Sequence, residues 1–355
     1  MDPANLVPQP DAISVPYGWF QGLLLLTFVL HLLMMNTMLG SSIIALVTEL
    51  GGRDGKPRLN KVISLKLPYT IAFTVNFGVA PLLFLQVLYG HFIYCSSVLM
   101  AVYWLSVVAL LIVAYYCAYL YDFKFDELAG SRTIFIAITT ILLLLIGFIF
   151  SNNMTFMQRP EAWTRYFSNP RGTLLNLSDK TLYPRYLHFV TASVAVAGLF
   201  QAILAQRRLG KGDVGAQRNL DKGMRWFSGA TLVQMLIGLW FLMSLPPDKR
   251  QLFLGGSGYA TALLIIGVCA ALAVLVLGLK GLVWPSAAAL MAAIVPMTLM
   301  RDALRQAYLA PYFSFSDLKV TGHYSPLIAF LIVFVIGVTV IGYMLKLAAA
   351  AGKEA

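Results

Sequence analysis

Nine apolar stretches, each long enough to cross a bilayer, recur from one end of this 355-residue chain to the other. They fall at roughly residues 19–48, 66–94, 98–120, 133–154, 186–206, 226–245, 258–280, 285–309 and 325–347. A backbone in hydrocarbon must satisfy its own hydrogen bonds, so the stretches are expected as helices and the chain as an all-α polytopic membrane protein. Composition agrees. Only 12% of residues are charged against 59% hydrophobic, with mean hydropathy +0.77, and a soluble domain of this length carries about twice that charge. No polar interval exceeds about forty residues, so residues 1–355 are read as a single membrane domain.

The net charge of +11 sits in short connections, where it marks topology and anionic-lipid contact rather than nucleic-acid binding. With the N-terminus outside, Arg53, Lys56, Arg58, Lys61, Lys66, Lys124, Arg132, Arg207, Arg208, Lys211, Arg218, Lys222, Arg225, Lys280, Lys346 and Lys353 fall inside. The outer segments hold the other ten of the 26 basic residues, Arg159, Arg165, Arg171, Lys180, Arg185, Lys249, Arg250, Arg301, Arg305 and Lys319. Five of those ten sit in one connection, so the short loops favour an N-out, C-in chain. Met1 to Gly18 carries Asp2 and Asp11 and no basic residue, the wrong charge for a signal peptide.

That long connection, residues 151–185, alternates Trp163, Tyr166, Phe167, Leu174 and Leu175 with Arg159, Arg165 and Arg171. It is expected as an interfacial segment on the outer leaflet, a functional loop or a covering flap. Cys95, Cys117 and Cys269 form no C-x-x-C pair, which argues against c-type haem attachment, iron–sulfur clusters and disulfides.

The chain has four histidines, and imidazole in hydrocarbon is costly enough to suggest a site. In this topology His31 lies near the midplane, about 18 Å below the outer end of its span at 1.5 Å per residue. His91, His188 and His323 lie near the outer face. The set suits haem iron, with Met34, Met35, Met38, Met154, Met157, Met235 or Met243 as thioether alternatives, although methionines in apolar proteins mostly fill gaps. Arg301 and Arg305, four apart on one helix face with Asp302 between them, suit haem propionates, a quinone headgroup or a snorkelling anchor. The carboxylates lie at loops and span ends, which argues against a proton pump.

In order along the chain, His31, Gly40 and Glu49 are followed by Asn76-Phe77, Gln86 and Gly90. Then come Met157-Gln158-Arg159-Pro160, Asn169-Pro170 and Tyr186-Leu187-His188-Phe189. Over residues 19–245 this series resembles the N-terminal half of cytochrome bd quinol oxidase subunit I. The resemblance implies a bd-like helical bundle, with 246–355 as an additional three-helix part. It also implies that His31 is an axial ligand of a high-spin haem and that His188 ligates a low-spin haem b. The third span lacks acidic residues and the connection Pro246–Ser257 is short, so oxygen reduction is not expected.

The favoured expectation is a subunit of a respiratory complex in a bacterial or archaeal cytoplasmic membrane. It would exchange electrons between the quinone pool and a periplasmic c-type cytochrome, with a multihaem cytochrome or iron–sulfur protein among its partner subunits. It would carry one or two b haems on His31 and His188, with His91 or His323 as sixth ligands. Arg301 and Arg305 would hold propionates or quinone, and Gln158 and Arg159 would help close the site. A haemless anchor that binds quinone for catalytic subunits, and an anion transporter using Arg301 and Arg305, remain as alternatives.

Overall fold

The computed structural model describes residues 2–51, 61, 63, 65–128 and 130–354. Arg53, Lys56 and Arg58, used above for orientation, lie outside the described residues. Nine long helices are found among the described residues: α1 (Tyr17–Gly51), α2 (Leu67–Leu99), α3 (Ala101–Phe123), α4 (Arg132–Phe156), α5 (Leu182–Leu209), α6 (Gln217–Ser244), α7 (Gly258–Leu279), α8 (Val283–Leu309) and α9 (Ser325–Glu354). Each is long and apolar enough to span a bilayer. No strand forms among the described residues; a single bridge joins Ile13 to Val320.

The bundle has two ends. One carries residues 2–16 and the connections 157–181, 245–257 and 310–324, and is called the cap end below. The other carries 208–216, the turn after α3 and the start of α8, and is called the basic end. The helices match the apolar runs closely except α6, which begins at Gln217 rather than near residue 226. Arg218, Asp221, Lys222 and Arg225 extend it past the apolar part, because intrahelical hydrogen bonds continue where the bilayer stops. Buried threonines are satisfied locally: Thr37, Thr140 and Thr231 each donate to the carbonyl four residues back.

Small residues set the closest helix crossings, as membrane helices require when dispersion rather than water drives their association. A Cβ on Gly40 of α1 would lie 1.9 Å from the Ser193 carbonyl oxygen of α5. Gly198 of α5 and Gly223 of α6 face each other, a Cβ on either falling within 2.8 Å of the other's carbonyl oxygen. Gly278 of α7 closes on Phe227 and Ser228 of α6. All these crossings lie toward the middle and basic end. In the cap half the closest glycine approach among α5 to α8 is to a side chain, Gly267 of α7 on Met300 of α8, and the helices border a cavity there.

The cap end is packed by aromatic rings rather than glycines. Tyr89, Phe92, Trp163 and Phe313 join one core cluster, and α2 is kinked at Tyr89. The connection 157–181 packs on the helix ends. Trp163 is 3% exposed and its indole N–H donates to the Phe156 carbonyl at 2.9 Å. Arg165 bonds the Leu175 carbonyl and the Asn176 side chain. The segment therefore folds inward over the helix ends, since its polar backbone finds partners there, and leaves Tyr166 and Phe167 outside. Helix α9 touches the rest mainly through Leu327, Phe330 and Leu331.

The glycine crossings give a stability test. Gly40→Val or Gly198→Val should cost about 1–3 kcal/mol through overpacking. Gly22→Val, where a Cβ meets nothing within 4 Å, should fall well below that cost in thermal unfolding of the detergent-solubilised chain.

Candidate functional site

The cavity lined by α1, α5, α6, α7 and α8 measures about 470 Å³ and is open on one flank, where Leu239 and Val268 are exposed; its volume is within the range of sites that hold organic ligands. On α8 it runs from Leu290 to Leu304, about 20 Å at 1.5 Å per residue. Its lining follows helical faces: Arg185, His188, Ala192 and Ala195 on α5, and Ala293, Met297, Arg301 and Leu304 on α8. It lies between the part expected as bd-like and the three-helix part, so neither forms it alone.

The walls are mostly aliphatic and aromatic; Gln158, Arg185, His188, Gln234 and Arg301 gather toward the cap end, with Asn36, Thr231 and Thr298 deeper in the bundle. Arg185 is 8% exposed. Its two terminal nitrogens both lie 3.5 Å from Gln158 Oε1, its guanidinium sits 5.3 Å from the Phe241 ring centre, and its Nε has no partner among the described residues. Arg301 stacks on Phe28 at 4.3 Å. Among the described residues it has neither a hydrogen-bond partner nor a carboxylate within ion-pair reach.

The neighbouring arginines differ. Arg305 lies 3.6 Å from Asp302 and stacks on Tyr89 at 5.2 Å. Asp302 accepts from Gln21 at 2.8 Å and from Gln306 at 2.7 Å. Arg159 pairs with Asp179 at 3.1 Å and stacks on Tyr308 at 4.7 Å. Both hold the cap end together, and neither lines the cavity. A desolvated cation costs several kcal/mol unless it is answered by an anion. An aromatic face returns only about 0.5–2 kcal/mol. Arg185 and Arg301 are thus left with unanswered charge facing an apolar space.

His188 is the one histidine on the cavity wall. Its Nε2 meets the Gln234 amide nitrogen at 3.3 Å, its Nδ1 is buried without a partner among the described residues, and its ring packs on Gly238. The other three lie elsewhere. His31 donates from Nδ1 to the Thr74 carbonyl at 3.1 Å and lies over Gly78 of α2, off the cavity face that Phe28, Leu32 and Asn36 form. His91 sits between the rings of Phe92 and Phe313 at the cap end. His323 is exposed in the connection before α9. The four imidazoles do not converge.

Of the eight residues singled out from the sequence, the cavity thus gathers His188, Arg301 and Gln158 and leaves out His31, His91, His323, Arg305 and Arg159. Met235 lines it; of the other thioethers, Met297 and Met300 on α8 were not foreseen. Arg185 is the main omission. Its signal was its i, i+3 spacing to His188, which places both on one face. No protein-family model matches the chain, and no curated protein matches it in sequence.

A charge-removal pair tests this electrostatic reading on protein stripped of bound molecules. Arg305→Gln should destabilise by about 3–5 kcal/mol, because it strands the buried Asp302 carboxylate. Arg301→Gln should be neutral or stabilising, because it removes a buried cation that has no carboxylate within ion-pair reach among the described residues. Thermal or denaturant unfolding of the two variants provides the comparison.

Proposed function

We propose that the chain is the membrane-integral, b-haem-carrying subunit of a respiratory complex. It exchanges electrons between the quinone pool and a c-type cytochrome partner at the cap end, taken as the outer side of a bacterial or archaeal cytoplasmic membrane. The observation that carries this reading is the cavity between α5 and α8, which brings an imidazole and two carboxylate-free guanidiniums to one end of a long apolar space.

The donor set suits haem b. Two propionates match two unanswered guanidiniums, and arginine is the side chain best shaped for carboxylate. His188 would hold the iron through Nε2, in place of its contact with the Gln234 amide. Met235, Met297 and Met300 on the same walls are thioethers that would also be able to bind the iron. With one histidine on the cavity, the arrangement favours one haem there rather than a bis-histidine pair.

Haem b supplies one-electron transfer when bound. The chain's own residues set the conditions for it. The aliphatic walls exclude water and lower the local dielectric, and the two arginines favour the anionic side groups. Gln158 holds Arg185 in place from the cap connection. A redox partner must dock for a reaction to complete, so the chain works within a hetero-oligomer.

A second reading is a haemless anchor whose cavity takes the tail and headgroup of a quinone. It is favoured by the dispersal of the histidines and by the Gln234 contact on His188.

A reduced-minus-oxidised spectrum of the complex purified from haem-replete cells separates the two. The haem reading expects a b-type alpha band that His188→Ala abolishes and that His91→Ala and His323→Ala retain. Absence of the band in the parent complex favours the haemless platform. Arg185→Gln with Arg301→Gln should weaken haem retention at least tenfold, since each charge-assisted contact contributes about 1.5–3 kcal/mol.

A further inference from the structure

A second, smaller recess lies at the basic end, where α1, α2 and α5 meet, about 20 Å³ in volume and far from the cavity just described. Its lining includes Lys66, Thr70, Gln201 and Arg208. Three independent features meet there. The first turn of α2, a 33-residue helix, borders the recess and has no side-chain cap on its amides. A helix N-terminus of that kind carries partial positive charge. Lys66 and Arg208 stand exposed at the rim, with no carboxylate in ion-pair reach among the described residues. Gln201, 3% exposed on the wall, has neither its amide nitrogen nor its amide oxygen paired among the described residues. A buried amide with both atoms unpaired is uncommon and points to a guest that supplies the partner.

We infer that this recess seats the phosphate of an anionic phospholipid. The depth argues for it. Gln201 lies eight residues from the end of α5 at Leu209, about 12 Å along the helix, so it reaches below the headgroup level, while Lys66 and Arg208 stand nearer that level. The recess is large enough for a single water beside Gln201, through which the amide reaches a phosphate held by the two cations, with the positive end of the α2 dipole beside it although Pro68 lends no N–H there. A phosphate carried on a lipid arrives with its acyl chains beside the exposed apolar flank of α2, where Tyr69 and Phe73 face outward. Free phosphate shares the headgroup chemistry but gains nothing from that flank.

The test is native mass spectrometry of the full chain released from mixed detergent–lipid micelles. One set contains phosphatidylglycerol, a second phosphatidylcholine, and a third phosphatidylglycerol with millimolar inorganic phosphate. The parent chain should retain phosphatidylglycerol in preference to phosphatidylcholine. Lys66→Gln with Arg208→Gln should weaken that retention about thirtyfold, from two charges acting near the membrane surface. Gln201→Leu should weaken it less. Lys124→Gln with Lys280→Gln removes the same charge from the same end and should leave it unchanged. Equal loss in both double variants, or equal retention of the two lipids, overturns the site. Displacement of the lipid by inorganic phosphate in the third set would keep the phosphate chemistry and replace the lipid by the free ion as its source.

Discussion

A cation inside hydrocarbon must be answered, and the cap end of this bundle is arranged around how its arginines are answered. Arg159 and Arg305 have carboxylates, Asp179 and Asp302. The Asp302 carboxylate also receives Gln21 and Gln306, so the Arg305 pair ties α8 to α1. The Arg159 pair ties the end of α4 to the start of α5 through the connection between them. Among the described residues, Arg185 and Arg301 have within contact distance aromatic faces and one amide oxygen at 3.5 Å, and no ion-paired carboxylate. The difference between a carboxylate and a ring is several kcal/mol in a desolvated setting. That deficit separates a structural arginine from one held ready for a guest.

Room for the guest comes from where the helices are allowed to touch. Gly40 against Ser193, Gly198 against Gly223 and Gly278 against Phe227 draw α1, α5, α6 and α7 together toward the basic end. Close approach there lets the same helices part toward the cap end, where His188 and Phe241 stand in place of glycine-on-backbone contact. The cavity is therefore a consequence of uneven packing along each helix. It is closed at the cap end by the inward-folded connection that supplies Gln158. A loop lying on the leaflet would have left Arg185 without its one acceptor.

Much of the fold was legible because hydropathy reports what a bilayer demands of each segment. Eight of the nine spans lie close to their apolar runs, and the exception, α6, continues through Arg218 and Lys222 because a helix does not need lipid to persist. The site was legible only in part. Sequence gives the depth of a residue along its helix, and His188 and Arg301 share a depth for that reason. It does not give the direction in which a helix turns its face. His31, His91 and His323 occupy plausible depths, yet one faces α2, one sits among aromatic rings and one is outside the packed bundle. Arg185 was overlooked because a basic residue at a span end resembles an anchor. Only the neighbouring helices reveal that it is 8% exposed and lacks a carboxylate.

The chemistry of the cavity narrows what can fill it. A small inorganic anion would answer Arg185 and Arg301 but leave about 20 Å of apolar wall facing vacant space. A quinone would fill the wall and leave two guanidiniums with neutral oxygens, half an answer to a full charge. An anionic lipid meets both demands but gives no role to the His188 imidazole beyond its contact with Gln234. A macrocycle with two carboxylates and a metal in need of an imidazole would meet all three, which is why haem b is the occupant proposed above. The Gln234 contact is the counterweight: Nε2 already has a neighbour at 3.3 Å, and haem must displace it. One N···N hydrogen bond at that length is a weak competitor for an iron–imidazole bond, so the contact is compatible with the proposed ligation.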